Sequence, residues 1–466
     1  MSQAHLHDLS ATELQRLYRS KELSPVEVAR AVLKRIAACE PQLHATYALD
    51  GDAALSSAEA SQKRWLAGAP LSALDGVPVT IKENIATRGV AMPLGTAATE
   101  LTPAAQDAPP SARLREAGSV IICKTTMPDY GMLSSGLSSF HPLTRNPWDV
   151  TRNPGGSSSG AGAGAAAGYG PLHLGTDIGG SVRLPAGWCG IFTLKPSLGR
   201  IPIYPPFAGR VAGPMTRSVA DSAAMMAVLS QPDARDTMSL PWQDIKWSQL
   251  DRDVRGLKIG LLMNAGWGLD VEPEIASAVQ AAARAFEAAG AHVEPLAPFM
   301  DRAMAEGMDQ FWRCRAWLDI SALPAARRAK VLPFIHEWAR GGAGLSGEQV
   351  FRGYSQMAAM REAAVAACAP FDYVLSPTAP MPAFAAELPC PTNDPARPFE
   401  HIAFTLPFNM SEQPAASINC GYTASGLPVG LQIVGKRFDD LGVLQVARAY
   451  EQMRPAQRVW PTLAQG

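Results

Sequence analysis

Between Gly155 and Gly168 no side chain is larger than that of serine. Composition of this kind reads at first as a flexible linker. Yet Trp148 precedes the stretch closely and Leu172-His173-Leu174 follows it, so apolar core signals stand on both sides. A disordered tether through the middle of a core is not a workable arrangement. Whatever fold takes this chain must admit a run of glycine, serine and alanine near its centre.

The rest of the composition suits a large buried core. The 466 residues are 47% hydrophobic and 18% charged, with a formal net charge of −1. Length alone permits two or three average domains or one large α/β unit. Near-neutral charge gives no global attraction to nucleic acid or to an anionic membrane. Seven cysteines are scattered without a CxxC pair, which fits free thiols in a reducing, cytoplasmic setting. Met1 to Asp8 has no basic start leading into an apolar run, so no secretory signal is expected. No apolar run is long enough and free enough of glycine, proline and charge to suggest a membrane span.

Local patterns divide the chain. Ser10 with Glu13, and Ser24 with Glu27 behind Pro25, are helix start signals, and they predict an N-terminal helical part over 1–70. Val77–Ile81 and Ser119–Cys123 read as strands within a core region over 71–230. Gly256–Leu262, Pro273–Ala289 and His292–Leu296 form a strand–helix–strand pattern. Met300–Ala369, with Trp312, Trp317 and Trp338, reads as mostly helical, with a loop at Gly341–Gly344. Together these make a variable insert over 231–370. Tyr373–Thr378 and Gly430–Gly435 restore strands over 371–466, and a helix follows from Asp440 to Met453. The expectation is a single α/β domain, 1–466, with a central mixed sheet covered by helices.

Two local matches in the small-residue stretch fail on context. Gly160-Ala161-Gly162-Ala163-Gly164-Ala165 fits the dinucleotide fingerprint, but Arg152-Asn153-Pro154 stands where a strand is required. A dinucleotide-dependent oxidoreductase therefore has little support. Gly156-Ser157-Ser158-Ser159-Gly160 fits a nucleophile elbow, which needs that same missing strand and a partnered histidine. His141 and His173 lie nearest and read as structural.

A more consistent chemistry joins three separate places. Ser181 closes Gly175-Thr176-Asp177-Ile178-Gly179-Gly180-Ser181. Gly179 and Gly180 can turn successive N–H groups into one cavity, a nest suited to an oxyanion. Ser181 is expected to head a helix, whose positive end favours developing negative charge. Its hydroxyl needs a base. Lys82 ends the apolar run Val77–Ile81, a position where desolvation can keep an amine neutral. Glu83 would oppose that neutrality, but on an extended strand it points to the other face.

At this point the residues resemble the amidase signature family of serine hydrolases. The resemblance covers Leu74-Asp75-Gly76-Val77-Pro78, Lys82, Thr144-Arg145-Asn146-Pro147-Trp148, Gly155–Gly160, Gly175–Ala186, Cys189-Gly190-Ile191, Leu194–Ser197 and Leu427–Gln432. It implies Ser181 as acyl-enzyme nucleophile, Ser157 as a bridging serine on a cis peptide, and Lys82 as terminal base. It implies an oxyanion hole from the N–H groups of Ile178, Gly179, Gly180 and Ser181. Ser158, Asp177 and Arg183 are then supporting positions. Met132, Leu133 and Ser134 fall in the region that lines the acyl pocket, and Trp312 or Trp317 is a weaker candidate for substrate contact.

No metal or cofactor is implied. The expected partner is a small-molecule amide, with no nucleic acid or membrane, and a homodimer is left open. The alternative within the family is the glutaminase component of a tRNA-dependent amidotransferase, which passes ammonia to a partner. Many such components carry an aspartate just ahead of a Phe-Thr-x-Pro segment. Here Phe404-Thr405-Leu406-Pro407 follows His401-Ile402-Ala403, which argues against that role. A non-enzymatic scaffold is disfavoured because all three relay residues are present.

Overall fold

The computed structural model describes residues 6–463. The reading of residues 1–5 as lacking a secretory signal lies outside them. The N-terminal part holds three α-helices, α1 (Ala11–Arg19), α2 (Pro25–Leu43) and α3 (Gly51–Leu66), with a two-residue strand between the last two. Both expected capping boxes close, Ser10 with Glu13 and Ser24 with Glu27. Each box satisfies backbone donors that a helix start leaves orphaned.

Among the described residues, eleven strands form one sheet. They are β1 (Thr46–Tyr47), β2 (Pro78–Lys82), β3 (Val120–Thr125), β4 (Leu172–Asp177), β5 (Phe192–Lys195), β6 (Val211–Thr216), β7 (Lys258–Leu261), β8 (His292–Pro295), β9 (Tyr373–Pro377), β10 (Ala415–Tyr422) and β11 (Pro428–Val434). Their order is β1-β3-β2-β4-β6-β5-β10-β11-β9-β7-β8. Within it β3, β2 and β4 run parallel, as do β9, β7 and β8, and antiparallel pairs join the two groups. The sheet is mixed, as expected. The strands before and after the helical segment, β8 and β9, join this one sheet on opposite sides of β7.

Five strands escape the sequence patterns: β1, β4, β5, β6 and β10. β6 contains Gly213 and Pro214, residues depleted in strand interiors. β5 is only four residues long, and β10 is interrupted by a register shift between Asn419 and Gly421.

The remaining helices flank the sheet. α4 (Pro109–Glu116) links β2 to β3, and α5 (Ser159–Ala167) links β3 to β4. α6 (Arg183–Cys189) follows β4, and α7 (Val219–Leu229) follows β6. α8 (Pro273–Ala288) completes the expected strand–helix–strand unit. The insert supplies α9 (Arg302–Ser321), α10 (Ala325–Arg328), α11 (Pro333–Arg340) and α12 (Gly347–Cys368). α13 (Pro407–Met410) and α14 (Asp440–Met453) complete the chain. No helix of the described residues is long and apolar enough to cross a membrane.

The small-residue stretch is α5, and every residue in it is buried. It is neither a linker nor a phosphate-binding turn. A Cβ built on Gly160 would lie 2.1 Å from the Ala45 carbonyl oxygen, and one on Gly162 would lie 2.8 Å from Pro185 Cβ. The helix can therefore approach β1–β4 and α6 only because its side chains are hydrogens and methyls.

In an exposed helix a Gly→Ala change gains about 1 kcal/mol. Here the sign reverses, because the added methyl meets rigid backbone. Gly160→Ala is expected to lower unfolding free energy by about 1–3 kcal/mol, read from urea denaturation of purified protein.

Candidate active site

The site lies where β2 and β4 end side by side. These strands are parallel, with Ile81 opposite Leu174, so Lys82 at the end of one and Asp177 at the end of the other emerge at the same edge. Crevices outside the carboxyl ends of parallel strands are the usual ligand sites of α/β sheets. The loop after β4 carries Ile178 to Ser181, and the turn before α5 carries Ser157 and Ser158.

Lys82 is fully buried. Its Nζ donates to Ser157 Oγ at 2.8 Å and to Ser158 Oγ at 3.0 Å. Burial above all, and then the charge of Arg210, push its pKa well below the usual lysine range, while Asp177 and Glu83 pull it back. Glu83 is turned away, 2.7 Å from His141 Nε2, so its opposition is a lesser influence. Ser158 is pinned to β4: its hydroxyl donates to the Thr176 carbonyl and accepts from the Thr176 N–H. The Gly156–Ser157 peptide is cis.

Ser181 is half-buried, and it shares with Ser157 the lining of a cavity of about 770 Å³. The Lys82–Ser157 bond is formed, whereas no hydrogen bond joins Ser157 to Ser181 among the described residues. Bonds of this kind commonly tighten only when substrate is bound.

The Ser181 loop is braced by a buried ion pair. Arg183 Nη2 lies 2.9 Å from Asp177 Oδ1, and both side chains are fully buried. Arg183 also donates to the Thr405 carbonyl and to Gln432 Oε1, each at 2.8 Å. Asn409 Nδ2 donates to Asp177 Oδ1. Burial alone would raise the Asp177 pKa, but the Arg183 guanidinium and these hydrogen bonds outweigh it. They hold the carboxyl well below the usual range.

Two expectations are corrected here. The Gly180 N–H donates to Asp177 Oδ1 at 2.8 Å, so this carboxylate takes it away from any oxyanion. The N–H groups of Ile178, Gly179 and Ser181 meet no protein acceptor among the described residues. Ser181 also does not head the helix: α6 begins at Arg183, with Val182 as its N-cap. The turn between them needs the left-handed Gly180, φ 127°, whose added Cβ would strike Thr405 Oγ1 at 2.5 Å.

The substrate-side candidates separate. Met132 lines the main cavity, whereas Leu133 and Ser134 line only a smaller lobe that shares Ser181 and Ile178 with it. Trp312 walls that lobe, with its buried Nε1 unpartnered. Trp317 lines neither and packs edge-on against His336. The sequence reading passed over Arg210 and Arg315, which also line the cavity. Trp312, Arg315, Ala316 and Asp319 recur at helical spacing on one face of α9, a pattern that could have revealed Arg315. Arg210 carries no such signal.

Among the described residues, no histidine lines either compartment of the cavity. Thr80 Oγ1 and His173 Nδ1 are 2.7 Å apart, and burial pushes the His173 pKa down to about 3. His401 is buried against Trp188 and Phe384.

The chain is similar to known proteins over nearly its whole length. A family model described as Amidase matches residues 27–444. Over 482 residues the chain is 36% identical to the A-type component of the glutamyl-tRNA(Gln) amidotransferase of Myxococcus xanthus, covering 96% of this chain and 97% of that one. It is 33% identical to an acylamidase of Rhodococcus erythropolis, covering 98% and 97%. The crystal structure of a bacterial aryl acylamidase of the amidase signature family superposes with a TM-score of 0.89, at 30% identity and 96% coverage of both chains.

Removing Arg183 alone strands a carboxylate in a dry interior. Arg183→Met is expected to cost about 3–5 kcal/mol of stability, measured by chemical denaturation. The double variant Asp177→Leu/Arg183→Met should cost less than the two single changes added together, since it leaves no unpaired charge.

Proposed function

This chain belongs to the amidase signature family of amide C–N hydrolases, and from that premise we propose that it cleaves a small carboxylic amide through an ester on Ser181. The observation that carries this reading is a fully buried Lys82 Nζ, 2.8 Å from the hydroxyl of Ser157, which shares a cavity with Ser181.

A buried, neutral amine has a lone pair for a proton. Lys82 takes the proton of Ser157 as Ser157 takes that of Ser181, and Ser181 Oγ bonds to the amide carbon. The carbonyl oxygen becomes an oxyanion facing the N–H groups of Ile178, Gly179 and Ser181. Each such donor is worth roughly 3–4 kcal/mol of barrier. The proton returns along the relay to the leaving nitrogen, the C–N bond breaks, and water repeats the attack on the ester. Seven free thiols suit a reducing compartment, so the cytoplasm is the proposed location.

The similarity to a glutamyl-tRNA(Gln) amidotransferase component supports a second reading, glutamine hydrolysis on behalf of partner proteins. Against it, the positions ahead of Phe404 are Ile402 and Ala403, buried and apolar. They offer no carboxylate to a glutamine ammonium. Glutaminase activity that arises only when partner proteins are added would favour this second reading.

Ser181→Ala is expected to abolish labelling by a fluorophosphonate probe and to lower amide hydrolysis roughly 10⁴- to 10⁶-fold. Peptide mapping of the labelled wild type and ammonia-release kinetics check both. Undiminished hydrolysis by that variant would overturn the mechanism.

The pH profile tests the base. Protonated Lys82 cannot accept a proton, so kcat should fall as pH drops through its depressed pKa. Arg210 is a cationic neighbour that lowers this pKa. Arg210→Gln should raise it and move the acid limb of kcat to higher pH. A limb that stays in place would exclude Lys82 as the titrating group.

A further inference from the structure

The cavity beside Ser181 has an unbalanced charge. Arg210 and Arg315 both line it, and neither guanidinium has a hydrogen-bonded partner or a carboxylate within 4.0 Å among the described residues. Arg315 lies over the Phe207 ring, 4.7 Å from its centroid. The other charged groups of this wall, apart from Asp319, are satisfied internally. Arg235 pairs with Asp233 at 2.7 Å, Asp107 pairs with Arg115 at 2.9 Å, and Asp177 belongs to Arg183. Asp319, one turn beyond Arg315 on α9, is exposed and too distant for an ion pair.

Two half-buried guanidinium groups without an anion are an expensive arrangement. Burial lowers the Arg210 pKa, and the charge of Arg315 lowers it further. Burial likewise lowers the Arg315 pKa against the opposing influence of Asp319. An arginine fork matches a carboxylate in two parallel hydrogen bonds, so an incoming carboxylate would relieve what the protein leaves uncompensated. Arg315 also lines the smaller lobe, where Trp312 and Ile402 are apolar neighbours. It therefore stands between the two compartments that meet at Ser181.

We propose that the substrate is an amide that itself carries a carboxylate, held by Arg210 and Arg315 while Ser181 attacks the amide carbon. This specificity rests on the hydrolase reading above and adds the chemical class of substrate to it.

The test uses two matched series with the intact protein. In one, monoamides of dicarboxylic acids (succinamate, glutaramate) are compared with butyramide and valeramide by ammonia release. In the other, N-acetylglycine is compared with N-ethylacetamide by amine release. Wild type is expected to favour the carboxylate member of at least one series by about 10- to 100-fold in kcat/KM, mostly through KM. Arg315→Gln and Arg210→Gln should each cut that preference at least about tenfold, and Arg315→Lys should keep part of it. Fluorophosphonate labelling of Ser181 in every variant confirms an assembled site.

Equal rates on charged and neutral members in both series, with Ser181 labelled, would overturn the carboxylate site alone. So would a preference that both glutamine variants retain. Failure of the wild type to label at Ser181 would instead overturn the hydrolase reading on which the proposal stands.

Discussion

The Asp177–Arg183 pair is the interaction on which the site's geometry depends. Two opposite charges in a dry interior attract strongly, but each gives up its hydration to be there. The arrangement holds only because the remaining donors and acceptors are met, and they are met by distant parts of the chain. Asp177 accepts from the N–H groups of Gly180 and Val182, which bend the loop around the carboxylate. Arg183 reaches Thr405 and Gln432 on the far side of the sheet order. Drawing Gly180 inward leaves the N–H groups on either side of it directed elsewhere, and those are the ones left for substrate.

The same dry interior treats its lysines differently, and the neighbours decide the outcome. Lys124 donates to the Ile85 carbonyl and the Thr87 hydroxyl, and Lys195 to the Pro196 carbonyl. Burial lowers the pKa of both to about 7. A carbonyl can only accept, and the Thr87 hydroxyl, which donates to the Ile85 carbonyl, lies outside the cavity that Ser181 lines. Lys82 faces two serine hydroxyls, each able to give a proton as well as take one. Only Ser157 of these two lines the cavity. A depressed pKa is thus common to several buried amines here, while a usable proton path belongs to one.

How much of this was legible in the sequence varied with the physics behind each element. Caps and amphipathic helices such as α2, α8 and α14 are local, and Ser24-Pro25-Val26-Glu27 announces its helix without help. Lys82 and Ser181 leave compositional marks in an apolar run and a glycine-rich turn, whereas Ser157 was told from its neighbouring serines by the family resemblance. The α5 helix was not legible as a helix, because its burial on all sides erases the polar face that periodicity needs. Strand β6 was hidden by Pro214, tolerated there by its tertiary setting. The hydrogen bond that withdraws Gly180 from the oxyanion position depends on a side chain three residues away. Arg210 and Arg315 are separated by about a hundred residues of chain and meet only in three dimensions.

The partners of Arg183 also set an order of events. Gln432 lies on β11, and Thr405 and Asn409 come only shortly before it. A nascent chain that has already made Lys82, Ser157 and Ser181 still lacks the acceptors that seat this guanidinium. The loop that carries Ser181 therefore gains these braces only once the chain has been made through β11. Until that point Ser181 stands in a loop whose buried ion pair is not yet fully satisfied.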